Sequence, residues 1–285
     1  MFEDVLVPTD GSDCAAAAIG YATDLAERYD ATVHVLSVVD SRTLENAPHY
    51  EEVRAEHVEL VDDVCADVAD HCAVEREVRT DVPHDAILDY ATEHDVDLVV
   101  MGTHGRTGVD RYLLGSVTEK VVRLSDAPVL TIPGTDDGPA TYPFEDVLVP
   151  TDGSEGAMAA VGPALDVAST YGARVHALSV VDTVGMGFDV RSATMIDALE
   201  EAAQAAVDAV ADRAKRASVS SVDTAIVQGT PADAIRSYVD DHDVDLVVMG
   251  THGRTGLRRY LLGSVAESTI RTSSVPVMTV RQSDD

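Results

Sequence analysis

Gly102, Gly105, Gly108 and Gly115, with Arg106 and Ser116 set among them, form the stretch of this sequence best suited to chemistry. Glycine lets backbone N–H groups turn toward a ligand with no Cβ in the way. Arg106 carries a planar fork of donors that matches phosphate. Ahead of the loop, Asp97-Leu-Val-Val-Met101 has the apolar run of a buried strand. Behind it, Ser116-Val-Thr-Glu119 reads as a capping box opening a helix. A helix start is a natural anion site. The arrangement reads as a phosphate cradle. From one copy, a flexible glycine loop before an ordinary capped helix is an equal alternative.

The stretch occurs twice. His94 through Gly108 recurs unchanged as His242 through Gly256, and Arg111 through Val117 as Arg259 through Val265. Phe2 through Ser12 recurs as Phe144 through Ser154. Between these blocks, roughly 41–80 and 183–228, the two copies have drifted almost beyond recognition. Segments that keep their residues while the helices around them change point to a ligand site built twice.

A strand, then the loop, then a helix must hold these residues in place. Asp4 to Pro8 reads as a short buried strand, and Ser12 caps a helix with apolar Ala15, Ala18, Ile19, Ala22, Leu25, Ala26 and Tyr29. Thr32 to Val39 is a second strand, 50–72 an acidic helix, and Glu75 to Arg79 a weaker third strand. Pro83 opens a helix to about His94, and a fifth strand runs from Pro128 to Ile132. The second copy repeats the order with helices near 155–171, 193–217 and 231–242. Alternating strands and helices imply parallel sheets with right-handed crossovers. Ligands in such sheets bind beyond the strands' carboxyl ends at the switch point. Pro8, Thr9 and Asp10 should therefore face Met101 and Gly102 across a crevice. The expected domains are 1–133 and 144–285, joined by a turn-rich linker over 134–143.

With 51 acidic against 20 basic residues, the net charge is −31, and Lys120 and Lys215 are the two lysines. Such a field excludes nucleic acid and anionic membrane as partners. Because the charges are spread along helices, they read as a solvated acidic surface suited to a salt-rich cytosol, as in extreme halophiles. The three cysteines, Cys14, Cys65 and Cys72, lie in the first copy alone, so the fold is not expected to rest on disulfides. No metal-ligand spacing is evident. The chain opens on strand residues and has no run of membrane-spanning length, which points to a soluble cytoplasmic protein.

The spacing Gly102, Gly105, Gly115-Ser116, repeated as Gly250, Gly253, Gly263-Ser264, resembles the universal stress protein family in its nucleotide-binding subgroup. The early Pro-Thr-Asp and the Val-Val-Asp after the second strand agree, and the likeness spans essentially the whole chain as a tandem pair. The resemblance implies a five-stranded parallel sheet of order 3-2-1-4-5 in each doubly wound α/β domain. It implies ATP as ligand, with AMP or a cyclic nucleotide as competitors. Asp10 and Asp152 would contact the nucleoside, with Pro8, Thr9, Pro150 and Thr151 beside them. Val38 and Val180 would offer backbone to adenine. Gly102 and Gly250 would lie near the ribose, with Met101 and Met249 beside them in the site. Gly105, Arg106, Gly115, Ser116 and Val117, and in the second copy Gly253, Arg254, Gly263, Ser264 and Val265, would hold the phosphates. Any magnesium would ride on the phosphates. Thr118 becomes Ala266, which removes a hydroxyl expected near the phosphates of the second copy.

Asp10 also suits simple closure of an Asp-Gly turn, and Ser116 and Ser264 suit helix caps. A surface role is the alternative for Arg106 and Arg254. His104 and His252 lie within the loop, but a general base must reach a water, which sequence does not show. No Walker sequence occurs, and no Gly-x-Gly-x-x-Gly follows the first strand. The leading reading is a stress-associated regulatory module that binds ATP. A slow ATPase or nucleotide-activating enzyme comes second, and a nucleotide-free scaffold third. The regulatory partner is not legible. The fifth strands, Pro128–Ile132 and Pro276–Val280, are apolar edges expected to pair the halves as a pseudo-dimer. Pairing of whole chains as a homodimer is a further expectation.

Overall fold

The computed structural model describes residues 2–44, 49–105, 114–134, 143–182, 193–217, 219–253 and 262–282. The chain divides into two compact units, Met1–Pro139 and Ala140–Asp285. Each is a turn of the same α/β plan.

In the first unit the elements are β1 (Asp4–Pro8), α1 (Asp13–Tyr29), β2 (Thr32–Asp40), α2 (Ser41–Leu44), α3 (Tyr50–Val68), β3 (Ala73–Asp81), α4 (Pro83–Glu93), β4 (Leu98–Gly102), α5 (Ser116–Leu124) and β5 (Val129–Ile132). Strand order within the unit is β3-β2-β1-β4-β5, and each pairing is parallel. β1 therefore lies where the order reverses, between β2 and β4. Val5, Leu6 and Val7 have no exposed surface, as expected of a strand covered by helices on both faces. β3 lies at one end of this order, and its charged sequence leaves it largely exposed.

α1 buries Ala15, Ala18, Ala22, Leu25 and Ala26 as the periodicity implies. Tyr21 is fully buried as well, whereas Ile19 and Tyr29 are only half-buried. Ser12 caps α1, its Oγ accepting from the Ala15 N–H at 3.3 Å.

The second unit holds β6 (Asp146–Pro150), α6 (Glu155–Ala159), α7 (Val161–Tyr171), β7 (Arg174–Val181), α8 (Ala193–Arg216), β8 (Ser221–Gln228), α9 (Pro231–Asp241), β9 (Leu246–Gly250), α10 (Ser264–Thr272) and β10 (Val277–Val280). The single helix expected over 155–171 is broken at Ala160, whose N–H reaches back to Ala157. Pro163 is the cause: it has no N–H to give Ala159, and its ring crowds that carbonyl. Tyr21 stands at the matching place in unbroken α1.

The block repeated from His94 to Asp97 turns out to serve the fold. Asp95 and Asp243 take left-handed backbone, with φ of 49° and 50°. Asp97 Oδ2 then accepts from the N–H groups of Glu3 and Asp4, at 2.8 and 3.2 Å, fixing the start of β1. Asp245 does the same for Glu145 and Asp146. Among the described residues no helix is long and apolar enough to cross a membrane.

Candidate functional site

The crevice is built first by the turn after β1. Thr9 N–H donates to the Leu36 carbonyl at 2.8 Å, tying the turn to β2. Gly11 takes φ of 77°, and the Ser12 N–H donates to Asp10 Oδ1 at 3.0 Å. Asp10 thus closes its turn with one oxygen. The other lies across the crevice, 2.5 Å from where a Cβ on Gly105 would stand. In the second unit, Asp152 Oδ1 accepts from the Ser154 N–H at 3.0 Å and its hydroxyl at 2.6 Å. Asp152 Oδ2 lies 2.7 Å from the Cβ position of Gly253. Turn closure and a place facing the loop are therefore compatible, and the glycine is what admits the carboxylate.

The loop after β4 lies against the start of α1. A Cβ on Gly102 would come within 2.6 Å of Cys14 Cβ, and on Gly250 within 2.2 Å of the Gly156 carbonyl oxygen. Thr103 donates its N–H to Ile132, and its own carbonyl accepts from Gly115, at 2.9 and 2.8 Å. This brings the two ends of the loop together.

The helix behind the loop does not carry the expected capping box. The N-cap of α5 is Gly115, with no side-chain hydrogen bond, and Ser116 is the first helical residue and exposed. Gly263 and Ser264 repeat this in α10. A helix start leaves its first amides without intrahelical partners. Here the N-cap residue is a glycine in both units and offers no side chain to cap them, and an anion can.

Thr118 has a structural partner of its own. Its hydroxyl is buried and donates to the Gly102 carbonyl at 2.9 Å, so it anchors the loop, and its Oγ1 lies 3.6 Å from the Cβ position of Gly115. Ala266 removes that anchor in the second unit.

His104 Nδ1 lies 2.9 Å from Thr103 Oγ1, and His252 Nδ1 lies 3.0 Å from Thr251 Oγ1. The Nε2 atom of each is buried without a hydrogen-bond partner among the described residues. A buried orphan nitrogen costs about 1–3 kcal/mol, and both copies keep one beside the cradle.

Of the remaining sequence-predicted residues, Thr9, Thr151, Met101 and Met249 are each 5% exposed, so a ligand would meet mainly their backbone. Val38 and Val180 are half-buried near the carboxyl ends of β2 and β7, as are Pro8 at the end of β1 and Val117 and Val265 in the first helical turns. Pro150 is buried at the end of β6. Arg106 and Arg254 lie outside the described residues.

Sequence reasoning missed what α3 contributes. Ser37 Oγ donates to the Thr9 carbonyl at 2.9 Å and lies 2.8 Å from His57 Nδ1. One turn later, Leu60 packs 3.4 Å from the Cβ position of Gly11. In the second unit Ala206 approaches Gly153 in the same way, at 3.2 Å, and Ala203 precedes it where His57 precedes Leu60. The drifted helices thus carry a difference between the two crevices. Cys14, at the floor of the first crevice, has its thiol pushed up by burial above the ordinary value, so it stays protonated.

A carboxylate facing a glycine loop at a switch point, with a glycine-capped helix behind it, gives each α/β unit the same candidate crevice. The universal stress protein family model matches residues 1–133 and 143–281. The chain belongs to the universal stress protein family. A universal stress protein of Mycobacterium bovis is 32% identical over 299 residues, covering 98% of this chain and 97% of the relative. The crystal structure of a universal stress protein from Archaeoglobus fulgidus is similar across 99% of this chain and 97% of its own, with 26% identity and a TM-score of 0.71. A universal stress protein solved in complex with cAMP is similar to 47% of this chain, covering 99% of its own, with 24% identity and a TM-score of 0.40.

Proposed function

We propose that each unit binds one adenine nucleotide, ATP before AMP or cAMP, and that the protein is a regulatory module. One observation carries this: in both units a glycine N-cap leaves the helix start without a side-chain cap, behind a loop whose glycine admits the facing Asp10 or Asp152. Phosphate would sit on the helix start, held by Gly105, Gly115, Ser116 and Val117 with Arg106, and by Gly253, Gly263, Ser264 and Val265 with Arg254. The nucleoside would lie toward Asp10 and Val38, or Asp152 and Val180. Magnesium, where present, would ride on the phosphates. Hydrolysis would be slow, because no residue triad for activating a water is evident in the sequence; His104 and His252 are the residues to replace if turnover is seen.

The proposal keeps the domains at 1–133 and 144–285 with linker 134–143, a halophilic cytosol as the setting, and pairing of the halves through their fifth strands. β5 and β10 read Val-Leu-Thr-Ile and Val-Met-Thr-Val, apolar strands where the family order places a sheet edge, a reason for pairing. Halves expressed separately should associate when mixed, and two monodisperse monomers would end that part.

The main test is mass spectrometry of ligand released from protein purified without added nucleotide, followed by calorimetry with ATP, AMP and cAMP. Gly115→Val and Gly263→Val should each remove one site, and both together should remove all binding, with circular dichroism recorded to confirm folding. A full two-site isotherm from the folded double variant overturns the assignment.

A further inference from the structure

At the opposite end of the strands from the cradle, both units build the same frame around a buried histidine. His34, 3% exposed in β2, lies with Nε2 2.8 Å from Asp4 Oδ1 and Nδ1 3.0 Å from the Tyr90 hydroxyl. The His94 ring stacks on Tyr90 at 4.0 Å. In the second unit His176 meets Asp146 at 2.8 Å and Tyr238 at 3.1 Å, and His242 stacks on Tyr238 at 3.8 Å. The nucleotide reading uses none of these groups.

The frames differ in what stands beside them. In the first unit Glu75 is the register partner of His34, and its Oε2 lies 3.6 Å from His34 Nδ1. One ligand atom from each of His34, Glu75 and His94 lies within 4.8 Å of the others. In the second unit the register partner of His176 is the shorter Asp223. There Arg174 lies with Nε 3.1 Å from Asp146 Oδ1 and Nη1 3.8 Å from Asp223 Oδ2, so the protein supplies its own cation. The matching residue of the first unit is Thr32, which brings none.

We propose that His34, Glu75 and His94 form a binding site for one divalent transition-metal ion, of the zinc, cobalt or nickel class, in the first unit alone. Two imidazoles and one carboxylate suit these metals. Asp4, accepting from the Nε2–H of His34, holds the tautomer whose Nδ1 lone pair faces Glu75; a carboxylate behind a ligating histidine is a common second partner in metal sites. Bonds of about 2.0–2.2 Å to zinc require the three atoms to draw together. Glu75, whose side chain is 60% exposed, is free to do so. The ion displaces the Tyr90 hydroxyl from Nδ1, and Glu75 is a nearby acceptor for that O–H. Solvent can complete the coordination on the exposed side. The acidic field of the chain favours a cation's approach.

The test uses the full chain in 1 M KCl, which screens its many surface carboxylates, titrated with cobalt(II) and read by visible absorption, then displaced by zinc. Wild type should take up one tight equivalent. His94→Phe, which keeps a ring on Tyr90, and Glu75→Gln should each weaken it more than about tenfold, and Asp4→Asn by about 10–100-fold. His242→Phe should change nothing. Arg174→Thr combined with Asp223→Glu should add a second equivalent. Equal binding by wild type and folded His94→Phe, equal loss in His242→Phe, or no tight equivalent in wild type would each overturn the proposal.

Discussion

The two halves share their loops and differ in what presses on them. Beneath the first loop, Gly102 meets the side chain of Cys14; beneath the second, Gly250 meets the backbone of Gly156 itself. Thr118 anchors the first loop through the Gly102 carbonyl, and Ala266 cannot. Over the turn after the first strand, α3 lays Leu60, with His57 one turn earlier against Ser37, while α8 lays Ala206. The repeated residues that the structure describes include those that line the crevice and those that fix a strand start. Their neighbours were free to change because several packings support the same crevice. One geometry, held in two ways, predicts two sites of the same kind and unequal strength.

The largest expected effect breaks that symmetry at the loop floor. Gly250→Ala should destabilise its half more than Gly102→Ala, because a Cβ at 250 meets a carbonyl oxygen at 2.2 Å and one at 102 meets Cys14 Cβ at 2.6 Å. Overpacking of this kind costs about 1–3 kcal/mol. Cys14→Gly should relieve part of the cost at 102. Denaturant unfolding of both variants decides it, and equal losses would show that the floors yield alike.

Next come the facing carboxylates. Asp10→Ala and Asp152→Ala should each weaken one nucleotide site by about tenfold to a hundredfold, the range for a hydrogen bond to a charged group worth about 1.5–3 kcal/mol. Calorimetry on the single variants reads each site against its intact twin. Loss of both sites from one substitution would mean the halves do not bind independently.

Thr118→Ala should make the first site resemble the second, at about 1 kcal/mol of stability for the lost hydrogen bond. Ala266→Thr should move the second toward the first. If neither changes stability or affinity, the anchor has no part in the difference between sites.

A smaller contrast lies in the tyrosines under the strand starts. Burial, then Glu77 and Glu75, push the Tyr90 phenol up to about 12. Burial and Asp223 raise Tyr238 as well. A phenol raised in the folded state contributes stability that is intact below its unfolded pKa of 10.0 and lost as pH rises through its folded value. Stability should thus hold to about pH 10 and fall toward pH 12, and Tyr90→Phe should flatten that fall. An unchanged alkaline slope in the variant would locate the effect elsewhere.

The smallest expected effect is common to both halves. At low ionic strength the charge of −31 repels a nucleotide over the long range. The Debye length shrinks from about 30 Å at 0.01 M salt to about 3 Å at 1 M. ATP affinity should rise over the low range of KCl while circular dichroism tracks folding. A steady fall of affinity in a chain that stays folded would mean that direct charge pairing dominates.

Much of this was legible in the residues alone. Continuous Val and Leu runs determined the buried strands, and spacing of three and four determined the faces of the helices. The repeat determined that whatever is built is built twice. Those signals are local, so the chain carries them without its fold. Tertiary structure decided the rest. Asp10 meets Gly105, and His34 meets Glu75 and His94, only because parallel strands bring distant residues into register. Ser116 reads as a cap in sequence, yet Gly115 is the cap because its N–H is drawn back to Thr103 by the closing loop. Thr118 reads as a hydroxyl near the phosphates, and the fold adds that its hydrogen is given to the Gly102 carbonyl. Which of several capable side chains meets a ligand depends on what the backbone around it has already claimed.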